Sequence, residues 1–99
     1  MANSLIKKRD PITQLNIVGV KDDFERALQK AINKKGGGAF ASCHEIYGAL
    51  AEEMKELLDE IHHGDVSSAS EELLDIAVIA LWGAASINQK IGKYEKFGK

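Results

Sequence analysis

The chain has one cysteine and one proline in 99 residues, and only 6% of it is aromatic. The lone cysteine, Cys43, rules out an internal disulfide and fits a reducing compartment. Long hydrophobic runs are also missing. The longest uncharged apolar stretch, Ile76 to Ile87, falls short of the about 20 residues that a bilayer-spanning helix needs, so no membrane partner is expected. Behind the basic residues of MANSLIKKRD there is no apolar segment, which argues against a secretory signal and makes a cytoplasmic location the expectation. No basic face stands out either. The net charge is −2 with both signs mixed along the chain, so nucleic acid is not an expected partner.

What is present is a helical pattern. Residues 1–21 read as an N-terminal arm: Pro11 is followed by the β-branched, roughly alternating Ile12 to Val20, which allows a short strand or an extended segment. From Asp22 the spacing changes. Phe24, Ala27, Leu28, Ala31 and Ile32 recur at helical intervals, Asp22 or Asp23 can cap the start, and the lysines at the far end suit the helix dipole. Gly36-Gly37-Gly38 then ends the helix. No G-K-[ST] follows the glycines and no strand precedes them, so they read as an inter-helix loop rather than a phosphate loop.

A second helix is expected from about Ser42 to His62. Its apolar arc comprises Ile46, Tyr47, Leu50, Met54, Leu57, Leu58 and Ile61, with Glu45, Glu52, Glu53, Glu56 and Glu60 on the other side. Gly64 is placed to close it as a left-handed cap. His62 and His63 are adjacent, so they do not face one spot on a helix, and zinc is not expected there. The third helix starts at Ser67 to Ser70, with Ser68 and Glu71 as a capping box. After Asp75 the run IAVIALWGAASI is apolar on every face and predicts a helix buried all round. The fold class is therefore all-α: a small bundle of three main helices in which an antiparallel hairpin carries the site. With so small a chain, oligomerisation would complete the core.

The hairpin region, Glu52 to Asp75, holds the chemistry. Glu53 and Glu56 are three apart, as are Glu72 and Asp75, so each pair presents two carboxylates to one spot. Four carboxylates brought together repel unless a cation lies among them, and hard oxygen ligands suit Mg²⁺, with Mn²⁺ the alternative. Two bland accounts compete. The glutamates of the second helix can be its wet face, and acids favour the first turns of a helix; the second explains Glu71 and Glu72 better than Asp75. Trp82 lies on the Asp75 side of its helix, as core or as a stacking surface for a base. The basic tail from Gln89 to Lys99 is either a solvated terminus or a phosphate-contacting arm.

The pattern Glu52-Glu53-Met54-Lys55-Glu56, fifteen intervening residues, then Glu72-Leu73-Leu74-Asp75 resembles the signature of the MazG-like all-α nucleoside triphosphate pyrophosphohydrolases. His44-Glu45 stands upstream much as a His-Glu does in that family, and the apolar helix after Asp75 agrees; the resemblance covers roughly residues 42 to 88. It implies one helical domain over residues 22–99 and Mg²⁺ held by Glu53, Glu56, Glu72 and Asp75. It further implies catalytic roles for Glu52 and Glu53, with Glu52 orienting water. The implied reaction splits a (deoxy)nucleoside triphosphate, such as a non-standard or surplus one, into monophosphate and pyrophosphate. A homo-oligomer, dimer or tetramer, would hold the nucleoside between helices. His44, Tyr47, Trp82, Asn88 and Lys90 are the candidate substrate contacts. Within the same superfamily, phosphoribosyl-ATP pyrophosphohydrolase uses related carboxylates. The competing class is a non-catalytic helical interaction module with a solvated acidic face.

Overall fold

A computed structural model describes residues 9–91. These form three α-helices, α1 (Gln14–Lys35), α2 (Cys43–His63) and α3 (Val66–Ser86), followed by a turn of π-helix at Ile87–Ile91. Among the described residues there is no strand. The all-α expectation holds, and no helix is long and apolar enough to cross a membrane. The tail residues beyond Ile91 lie outside the described part, as do residues 1–8.

The strand or extended segment expected over Ile12 to Val20 is corrected: from Gln14 this stretch is helix. Thr13 starts α1, its hydroxyl accepting a hydrogen bond from the Asn16 amide at 3.1 Å. β-Branched residues lower helix propensity by only a few tenths of a kcal/mol each. A strand at this place would need a hydrogen-bonding neighbour, and the described residues offer none. The helix therefore wins. It ends at Gly36, whose φ of 85° suits glycine and whose amide reaches the Ile32 carbonyl at 2.8 Å.

Helix α2 is capped by Ser42, which accepts from the Glu45 amide at 3.1 Å, while the Glu45 carboxylate accepts from the Ala41 amide at 2.6 Å. This is a reciprocal arrangement close to a capping box. At the other end Gly64 takes the expected left-handed conformation, φ 73° and ψ 19°. Its amide bonds to Ile61, and the Asp65 amide bonds to Glu60 at 3.0 Å, closing the last turn. The next helix begins at once, so α2 and α3 fold back on each other across Gly64-Asp65. The expected Ser68–Glu71 box is corrected. Asp65 is the cap, one oxygen accepting the Ser68 amide at 3.0 Å and the other the Ser68 hydroxyl at 2.8 Å. Those two bonds hold the Asp65 carboxyl below its ordinary value. A carboxylate accepting two donors at the positive end of a helix is a stronger stop than a serine three residues later.

Two packing expectations change. Helix α3 is not buried all round: Val78, Gly83 and Ser86 are buried, but Leu73 and Leu81 are exposed. The two other helices cover only part of its circumference. On α2, Ile46, Leu50 and Leu57 are half-buried, whereas Tyr47, Met54, Leu58 and Ile61 are exposed. Helix α3 thus seats on the boundary between the apolar arc and the acidic side, not on the arc's centre. Gly83 permits this seat, since a Cβ there would lie 2.9 Å from Ile46 Cγ2. As a consequence Glu53 and Glu60 are half-buried rather than solvated.

Candidate functional site

The off-centre seat of α3 aims part of the acidic side of α2 at the start of α3. Glu53 and Glu56 from α2 meet Glu72 from α3, one carboxylate oxygen of each lying within 4.8 Å of the others. Asp75, one turn further on, is exposed and stands outside this trio, though its charge still acts on Glu56 and Glu72. The geometry thus brings together three of the four residues expected to converge. Glu52 is exposed and adds its charge to the field on Glu56.

The electrostatics of the trio are unfavourable as it stands. An ionised carboxylate only accepts hydrogen bonds, and the buried Oε1 atoms of Glu53 and Glu72 have no donor. Among the described residues the one ion pair is Arg26–Asp23 on α1, and none of their Lys, Arg or His side chains pairs with the cluster. The Glu72 carboxyl is pushed up to about 7. The main cause is the hydrogen bond it can make to Glu53 only when it carries a proton; burial and the charges of Glu53 and Asp75 add to it. Glu56 is also raised, chiefly by the charge of Glu72. Both shifts share one cause, the closeness of the carboxylates of the two helices.

Glu53 also belongs to a second feature, an open cleft of about 390 Å³ between the three helices. Glu45, Glu52 and Glu53 line it from α2, Val78, Ile79 and Trp82 from α3, and Ala31, Ile32 and Lys35 from α1. The glycine loop closes one side through Gly36, Gly38, Ala39 and Phe40. Two bonds pin that loop to α3: Trp82 Nε1 donates to the Gly38 carbonyl at 2.7 Å, and the Phe40 amide donates to Ser86 Oγ at 2.9 Å. Of the candidate substrate contacts, Trp82 lines the cleft. His44 and Tyr47 are exposed on α2 and Asn88 is exposed on the π-turn, and none of the three lines the cleft. The Lys90 side chain lies outside the described part.

Sequence reasoning passed over Glu45 and Lys35 as cleft residues. The Ser42-x-x-Glu45 spacing was a signal for the first, since a capping pair fixes where a helix starts and which way its first acid points. Lys35, directly before the glycine cap, had no comparable signal. No family model, curated protein or solved structure matches this chain.

Proposed function

We propose that this protein is a Mg²⁺-dependent nucleotide pyrophosphohydrolase, with Mn²⁺ able to replace Mg²⁺. The observation that carries the reading is the Glu53, Glu56, Glu72 trio with its two donorless buried oxygens. A hard divalent cation fits such a set: all the donors are carboxylate oxygens, they come from two helices fixed by one tight turn, and the missing partner is a positive charge. Asp75, on the next turn of α3, would be the fourth carboxylate available to such an ion. When bound, the ion neutralises triphosphate charge and polarises the phosphorus under attack.

The rest of the chemistry falls to the chain. Glu52 and Glu53 line the cleft; Glu52 orients a water toward the α-phosphorus, and a carboxylate accepts its proton as the α–β anhydride bond breaks. Lys35, the cation lining the cleft, meets the phosphate chain. Trp82 supplies an apolar wall for the base. Monophosphate and pyrophosphate are the products released.

The reading includes self-association. Tyr47, Met54, Leu58 and Ile61 share one exposed side of α2, and Leu15 and Val18 are exposed on α1. In a chain whose buried hydrophobic core is Val78 alone among the described residues, a second copy over these faces makes up the missing burial. The test of function is direct. The purified protein is incubated with Mg²⁺ and a panel of deoxynucleoside triphosphates, and products are separated. Monophosphate and pyrophosphate from wild type, and neither from Glu53→Gln, are expected. Failure of wild type to release pyrophosphate from any of them refutes the reading and leaves the helical interaction module.

A further inference from the structure

The glycine loop does more than join two helices. Gly36 needs its left-handed φ, but Gly37 and Gly38 have no such need, and a Cβ on either would meet nothing within 4 Å. Neither packing nor steric demand therefore explains them. What two further glycines provide is backbone freedom, at a cost to stability. That freedom lies in a wall of the cleft.

The same wall is latched. Trp82 Nε1 holds the Gly38 carbonyl at 2.7 Å, and Ser86 Oγ accepts the Phe40 amide at 2.9 Å. Trp82 and Ser86 lie one helical turn apart, and the Ser86 hydroxyl also donates to the Trp82 carbonyl at 2.8 Å, so the two posts form one unit. Ser86 is 2% exposed, a buried anchor for the loop. The pieces are those of a small closure: a permissive pair of glycines and a defined latch.

We infer that the loop Gly36–Ala41 is a gate over the acidic cleft, pliable at Gly37-Gly38 and held shut by the bonds of Gly38 and Phe40 to Trp82 and Ser86, which opens to admit a nucleotide and closes on it. The inference rests on the reading of the cleft as the nucleotide site. Because the chain contains one tryptophan, the latch carries its own reporter.

The experiment uses the full chain with Mg²⁺ and non-hydrolysable α,β-methylene deoxynucleoside triphosphates. Binding is followed by calorimetry, latch state by Trp82 fluorescence in a stopped-flow instrument, and loop protection by hydrogen exchange at the Phe40 amide. Each Gly→Ala change restricts the backbone by an amount worth about a factor of two to five. The double variant Gly37→Ala with Gly38→Ala is therefore expected to slow both association and dissociation by about tenfold. The dissociation constant stays nearly unchanged and the melting temperature does not fall. Ligand binding is expected to change Trp82 fluorescence and to slow exchange at Phe40. Calorimetric binding with Trp82 and Phe40 both unaltered, or with unaltered rates in the variant, overturns the gate and leaves the nucleotide reading intact. Absence of binding overturns both.

Discussion

Lowering the pH should stabilise the metal-free protein, and Mg²⁺ should reverse the trend. Glu72 has its carboxyl raised from 4.5 to about 7 in the folded chain. A raised acid contributes stability that is fully present below its unfolded value and is lost as pH rises through the folded one. Between pH 5 and pH 8 the apoprotein therefore loses stability. Unscreened, a shift of this size corresponds to about 3 kcal/mol. Glu72 is only half-buried, so solvent screening reduces the effect to about 1 kcal/mol. For a domain of this length that lowers the melting temperature by about 4–8 °C. Glu56 shifts the same way. Asp65, shifted downward, loses its contribution only below this window. A divalent cation needs the ionised trio. At ten times its dissociation constant it adds about 1.4 kcal/mol at pH 8 and close to nothing at pH 5. Thermal melting by circular dichroism at both pH values, with and without Mg²⁺, measures all four states. A metal-free melting temperature that does not fall toward pH 8, or a Mg²⁺ increment equal at the two pH values, refutes the reasoning.

Three substitutions extend the test. Glu53→Gln removes one charge and offers an amide donor to the orphaned Glu72 oxygen; at pH 8 without metal it should raise stability by about 1 kcal/mol, seen in the melt, while abolishing the Mg²⁺ increment. Gly83→Ala drives a methyl into Ile46, 2.9 Å away, and should cost about 1–3 kcal/mol in denaturant unfolding. Pairing it with Ile46→Val should recover part of the loss. Asp65→Ala removes the cap of α3 and should lower the melting temperature at pH 7, with its deficit vanishing as wild-type Asp65 is itself protonated in acid.

The elements that were readable in the sequence are those set by local chemistry. The periodicity of Phe24 to Ile32, the acidic side of α2 and the Gly64 cap each depend on near neighbours, and each appears in the structure. So does the meeting of Glu53, Glu56 and Glu72, because one tight turn fixes the hairpin's register. What was illegible depends on competition or on distance. Ile17, Val18 and Val20 suggested an extended arm because propensity carries no information about whether a partner strand exists. Ser68 and Asp65 were both chemically suited to cap α3, and only the length of the Gly64-Asp65 turn decides between them. Burial of α3 was overread, since an apolar sequence states what a helix can bury and not how many neighbours it finds. The contact between Trp82 and Gly38, 44 residues apart in sequence, has no local trace. The exposed position of Asp75 follows from the off-centre seat at Gly83, which the helical wheel does not reveal.

The central claim is that the three glutamates hold a divalent cation, and a calorimetric titration of the metal-free protein with Mn²⁺ at pH 8 tests it most directly. The account predicts one saturable site per chain in wild type and no measurable heat in Glu72→Gln, whose fold is verified by its melt. Equal binding by wild type and Glu72→Gln, or none by either, contradicts it.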